Sequence, residues 1–266
     1  SNPVTPALRH ATAVTRSRGA RSFAANAVHW PSVASKQIIA MGGGGFSSEP
    51  DNLVLDRYIL QQVAAERPRV CFLATASGDA ESYLLSFYTA FTGLGALPSH
   101  LSLFRPGTAD LQDFLLQHDV IYVGGGNTRS MLILWREWGI DAILSRAYEE
   151  GIILAGTSAG ANCWFEGCVT DSVPGSLTPA QGLGMLSGSF CPHYAGERER
   201  RSVIHRLVRD GTLPPGYAAD EGAAMHFVDG SLYAVVASRQ EARAYAVERE
   251  GKAVTEEALP AQYLWG

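Results

Sequence analysis

The chain has 266 residues, 28 of them glycine, where average usage of about 7% would give roughly 19. It is 46% hydrophobic and 18% charged, with 21 Lys and Arg against 26 Asp and Glu for a net charge of -5. That balance excludes a disordered, collagen-like or coiled-coil chain, leaves no electrostatic footprint for nucleic acid, and comes without an apolar run of about 18 residues that would predict a membrane-spanning helix.

Residues 1–48 carry Arg9, Arg16, Arg18, Arg21 and Lys36 and no acid before Glu49. Such a leader has the composition of a transit peptide, but the reading preferred is a basic arm, residues 1–36, lying on the surface of a domain at 37–266. From Lys36 onward short apolar runs alternate with amphipathic stretches. QIIAM at 37–41, RVCFLAT at 69–75, DVIYV at 119–123 and GIILA at 151–155 read as buried strands. Between them, 52–66, 81–94, 128–138 and 140–150 read as helices. This alternation predicts a parallel sheet covered by helices on both faces. Beyond about residue 185 the pattern is mixed: 198–209 reads as an Arg-rich helix, and 231–238 and 241–247 as later strands. One α/β domain fits.

Cys71, Cys163, Cys168 and Cys191 form no CxxC pair, and the seven histidines show no metal-ligand spacing. No metal and no cofactor are expected, in a reducing, cytoplasmic compartment. In open α/β sheets the ligand site lies at the carboxyl ends of the strands. Gly42–Gly45, Ser77-Gly78-Asp79, Gly124–Gly126 and Gly156-Thr157-Ser158 all follow predicted strands there. Gly156-Thr157-Ser158-Ala159-Gly160 has the strand-turn-helix context of a G-x-S-x-G nucleophile elbow, which makes Ser158 a candidate nucleophile. A serine hydroxyl needs a base, and His193 competes for that role with His205 and His226. For the oxyanion, the Ala159 amide supplies one donor and the Gly124-Gly125-Gly126 turn a second. Asn127 or Thr128 at the end of that turn is also a helix cap.

VGGGNT at 123–128, GTSAGAN at 156–162, PHY at 192–194 and DEG at 220–222 resemble the peptidase E (aspartyl dipeptidase) and cyanophycinase family of serine peptidases over roughly residues 37–240. The resemblance implies a single-domain, three-layer α/β sandwich with a mostly parallel sheet, related to class I glutamine amidotransferases. It implies Ser158 as nucleophile, His193 as base, Glu221 as the orienting acid, and Gly126 and Ala159 as the oxyanion hole. Asp171 is the competing acid or a ligand of the substrate amine, and Asp220 stands one register step from Glu221. Asn127, Arg198 and Arg201 are the remaining candidate substrate contacts. Two departures from the aspartyl dipeptidase branch are Thr157, where that branch carries a bulky aromatic, and a shortened segment after His193. The expected function is a serine exopeptidase acting on dipeptides or short peptides, including those with N-terminal Asp. An α/β-hydrolase esterase and a silent binding module are the alternatives. Members of the family often dimerise, so a homodimer is the assembly considered.

Overall fold

Strand β1 (Gln37–Met41) is the central strand of the computed structural model, which describes residues 35–265. The basic leader therefore lies, up to residue 34, outside the described residues. Around β1 the apolar runs assemble into a sheet that is parallel through β2 (Arg69–Leu73), β3 (Leu97–His100), β4 (Val120–Val123) and β5 (Ile153–Thr157), in the order β3-β2-β4-β5-β1. On the far side of β1 the sheet continues through later strands, and its order there is taken up below.

Side chains on these strands alternate between the two faces, so each face receives every second apolar residue. Ile39, Met41, Phe72, Tyr122 and Ala155 point to one side, against α1 (Val54–Gln61) and α2 (Glu81–Gly93). Ile38, Ala40, Leu73, Ile121 and Leu154 point to the other, where α3 (Leu111–Leu116), α4 (Thr128–Trp138) and α5 (Ile140–Glu149) supply Leu115, Trp135 and Leu144. Helix, sheet and helix are thus stacked in three layers, and the α/β class expected from the alternation is the one observed.

Three boundaries differ from expectation. The helix expected over 52–66 runs only over Val54–Gln61, ending in a tightened turn in which the Gln62 and Val63 N–H groups donate to the Ile59 and Leu60 carbonyls before the chain turns back into β2. Gly151, at φ 82°, ends the turn after α5, so the fifth strand starts at Ile153 and runs through Gly156 to Thr157. The strand expected at 241–247 lies at Ala244–Glu250.

The larger difference is a second sheet. After a single helical turn, α6 (Ala159–Asn162), come β6 (Phe165–Val173), β7 (Ser176–Gln181), β8 (Leu186–Cys191), α7 (Arg198–Arg209), β9 (Gly216–Ala219), β10 (Ala223–Val228), β11 (Ser231–Ala237), β12 (Ala244–Glu250), β13 (Ala253–Leu259) and β14 (Gln262–Tyr263). Strands β10 and β11 extend the first sheet antiparallel beyond β1, with β14 parallel to β11 at the edge. The other six form a sheet in the order β13-β12-β9-β8-β6-β7. One face of this sheet, with Phe165, Leu186 and Phe190, joins the core of the first sheet beside Met225 and Phe227. Its other face is covered by Ile204, Leu207 and Val208 of α7. All four cysteines are buried and free, and burial pushes each thiol above its ordinary range. No helix among the described residues is long and apolar enough to cross a membrane.

Candidate active site

The carboxyl ends of β1, β4 and β5 converge on Ser158. Residue 158 sits at φ 55°, ψ -112°, a conformation that costs a non-glycine residue on the order of 1–3 kcal/mol. One hydrogen bond and two close backbone approaches fix it there. The Ser158 N–H donates to the Met41 carbonyl at 3.1 Å. A Cβ on Gly156 would lie 2.2 Å from the Gly160 carbonyl oxygen, and a Cβ on Gly160 would lie 2.1 Å from that of Val123. The turn is therefore sharp because both flanking residues lack side chains. The helix behind it is one turn long, so the local amides matter here and a helix dipole does not.

His193 follows β8 and Pro192. It too has positive φ, 53°, and its N–H donates to the Gly42 carbonyl at 3.0 Å, which fixes the ring's origin against the end of β1. Its Nε2 lies 2.9 Å from Ser158 Oγ, and its Nδ1 lies 3.2 Å from Glu221 Oε1 in the turn between β9 and β10. Gly43 packs against this pair: a Cβ there would stand 2.8 Å from Glu221 Cγ and 3.1 Å from His193 Cε1. Burial lowers the His193 pKa below its ordinary value, and the Arg200 cation adds to the shift; Glu221 opposes it. The imidazole is thus neutral near pH 7, with Nδ1–H directed to Glu221 and Nε2 ready to accept from the serine hydroxyl.

A cleft of about 320 Å³ opens beside Ser158 and His193, walled by Gly43, Ser47, Tyr83, Gly125 and Gly126. Among the described residues no acceptor takes the N–H of Gly126 or of Ala159. Those two amides are available to a negatively charged oxygen.

The other sequence candidates are dispersed. Asn127 caps α4: its Oδ1 accepts from the Ser130 N–H at 2.9 Å and its Nδ2 donates to the Ser172 carbonyl at 3.1 Å, so both ends of the amide are engaged within the protein. Asp171 is exposed on β6 and lies 3.6 Å from Arg200, not against His193. Arg198 is exposed at the start of α7. Arg201 pairs with Glu256 at 3.1 Å and lies over the Tyr194 ring. Neither arginine lines the cleft. Asp220, which a register slip would have exchanged with Glu221, accepts from the Ala195 and Arg243 N–H groups and is a structural clasp. His205 is held by Glu256 and Tyr194, and His226 by Tyr58 and Gln37. Burial drives His226 down to about 4. Among the described residues no group of His, Cys, Asp or Glu could hold a metal ion.

Three nearby residues escape a reading of motifs. Arg200, between the two candidate arginines, is buried against Glu197 at 2.8 Å; in the α7 pattern it falls on the same face as Ile204 and Leu207, a signal that was available. Tyr83 stands in a helix with no motif around it. Asp56, on α1, is fully buried beneath Gly45 and accepts the Phe46 N–H at 2.8 Å, while its second oxygen has no partner among the described residues; burial raises its carboxyl to about 7.

A family model described as peptidase family S51 matches residues 38–235. The chain is 57% identical over 229 residues to an uncharacterized peptidase, YgaJ, of Bacillus subtilis strain 168, covering 86% of this chain and 99% of that one. It is 32% identical over 130 residues to peptidase E of Haemophilus influenzae, 45% of this chain and 59% of that one. A solved peptidase from an acI-B1 Actinobacterium superposes with a TM-score of 0.62 at 18% identity, over 85% of this chain and 95% of that one, a likeness of fold.

Proposed function

Because the chain belongs to peptidase family S51 and is a peptidase on that ground, we propose that it is a serine exopeptidase cleaving dipeptides or short peptides through an acyl-enzyme on Ser158. The observation that carries this reading is the unbroken relay from Ser158 Oγ to His193 Nε2 at 2.9 Å and from His193 Nδ1 to Glu221 at 3.2 Å. Ser158 Oγ attacks the scissile carbonyl carbon as its proton passes to His193 Nε2. The carbonyl oxygen, now an anion, is held by the Gly126 and Ala159 amides. When the C–N bond breaks, His193 returns the proton to the leaving amine. A water then repeats the sequence against the ester, with His193 taking its proton, and frees Ser158 and the acid product. Glu221 keeps the imidazole in one tautomer and stabilises its charged form in both halves.

Cleft volume supports a small substrate, since about 320 Å³ lies at the low end of the roughly 300–1,000 Å³ typical of ligand pockets. The chain order serine, histidine, acid and the Gly126 turn both favour this reading over an α/β-hydrolase esterase, whose histidine comes last. Replacing Ser158 by Ala is expected to cut peptide hydrolysis by roughly 10⁴-fold or more and to abolish labelling by a fluorophosphonate, with the fold intact. Retained activity in that variant would sink the assignment. A panel of Asp-X, β-Asp-X and neutral dipeptides then reads the side-chain preference.

A further inference from the structure

We propose that Tyr83 is a positioning residue for the oxyanion turn: its hydroxyl binds the Gly125 amide and Ser47 together, holding the glycine turn over Ser158 with the next amide, that of Gly126, left free. The inference rests on the reading of Ser158 as the acylated residue.

The Gly124-Gly125-Gly126 turn carries little steric restraint of its own, so each of its peptide planes needs an external anchor to keep one orientation. Gly124 N–H donates to the Leu73 carbonyl at 3.0 Å, and Asn127 N–H to that of Ala76 at 2.8 Å. These fix the two ends. In the middle, Gly125 N–H donates to Tyr83 Oη at 3.1 Å, and no acceptor among the described residues takes Gly126 N–H. Gly125 is also the residue lying over the nucleophile, since a Cβ built on it would stand 3.4 Å from Ser158 Cβ. Without the tyrosine hydroxyl the Gly125 amide would be left in a part-buried site with no protein acceptor, and the change of torsion at Gly125 that let it swing would also re-aim the next peptide plane, which carries the Gly126 amide.

The same hydroxyl lies 2.7 Å from Ser47 Oγ, in the turn after β1. Accepting from Gly125, it can donate its own proton to Ser47. That turn begins with Gly42, whose carbonyl receives the His193 N–H, and Gly43, which packs on His193 and Glu221. One phenol oxygen therefore joins the turn holding the oxyanion donor to the turn holding the base. The ring itself is fixed, edge-on to Phe72 at 5.1 Å and tilted against Phe46 at 5.5 Å, and burial keeps the phenol protonated.

Tyr83→Phe preserves the ring packing and removes only the oxygen. Direct loss of an oxyanion donor costs about 10²–10³ in kcat; loosening its support is expected to lower kcat roughly 10- to 100-fold, with KM within about twofold and Tm close to that of the wild type. The rate of fluorophosphonate labelling at Ser158 is expected to fall by a comparable factor, because that adduct needs the same amides. Wild-type kcat and labelling rate in Tyr83→Phe would overturn the proposal while leaving the serine assignment standing. So would a rise in KM alone, which would make Tyr83 a wall of the substrate pocket. A wild-type protein that no fluorophosphonate labels would instead overturn the serine reading. Ser47→Ala, which retains the ring and the Gly125 bond, provides the second test should Tyr83→Phe not fold. A smaller loss of kcat at constant KM is expected, and unchanged kcat would overturn the link between the two turns.

Discussion

The most consequential residue after the proposed nucleophile is His193, whose pKa is lowered first by burial and then by the Arg200 cation. General-base catalysis needs the neutral ring, so kcat/KM is expected to rise with pH through a single group titrating below the ordinary histidine value of about 6.5 and to be level at neutrality. Glu221→Gln removes the charge that opposes this lowering. The acid limb of its pH profile is then expected to move further down, while the plateau falls because the imidazolium formed during attack loses its counter-charge. Unshifted pH profiles would exclude His193–Glu221 coupling. Asp56 makes a separate case for stability. Its carboxyl is raised to about 7, so the folded protein holds a proton that the unfolded chain releases from about pH 4 upward. That contribution is present in acid and is lost as pH rises through 7. Asp56→Asn keeps an acceptor for the Phe46 amide and carries no charge; it is expected to raise Tm at pH 8 by at least about 3 °C, with the gain vanishing near pH 4. His226 has the opposite sign. Its pKa is depressed to about 4, so its contribution is present above about 6.5 and lost as pH falls toward 4.

Among elements, α4 tests whether a polar residue at the end of a glycine turn serves substrate or scaffold. Both ends of the Asn127 amide are occupied, by the Ser130 N–H and the Ser172 carbonyl. Asn127→Ala is therefore expected to cost about 1 kcal/mol of stability, measured by denaturant unfolding, with KM for dipeptides little changed. A rise in KM with stability intact would restore it as a substrate contact. The same region shows why some elements were legible in the chain and others were not. The parallel strands and α4 announce themselves because apolar residues fill both faces of a buried strand and one face of a helix. Strand β3, LPSH, has no such signature, being an edge strand half exposed to solvent. Strands β6 to β9 were equally silent: Phe165, Cys168 and Val169 are buried, but Gly167, Thr170 and Pro179 interrupt any alternation. At the site, glycine turns betray Ser158, since backbone without side chains is rare enough to notice. Tyr83 offered no motif, because its placement depends on which turns meet across the fold, whereas Arg200 was legible only as one more position on the buried face of α7.

On the scale of the whole molecule, Ser158 sits at the rim of the first sheet, His193 leaves the end of β8 in the second, and Glu221 lies in the turn that links β9 of the second to β10 of the first. Their relay thus spans the joint between the sheets, and its distances depend on the core of Phe165, Phe190, Met225 and Phe227 that the two share. One continuous core implies one cooperative unit. Loss of activity and loss of tryptophan fluorescence are accordingly expected to follow a single denaturant midpoint; activity lost well before the fluorescence change would mean that the second sheet opens alone.

The four buried cysteines give the molecule an experimental opening. With every native thiol enclosed and held protonated, reagents such as iodoacetamide have nothing to modify in the folded state. Ser158→Cys would then place the sole reactive sulfur at the elbow, and the pH dependence of its alkylation would make that atom a voltmeter for the field of His193, Glu221 and Arg200. With its four native thiols buried, the chain supplies its own unreactive background for such a measurement.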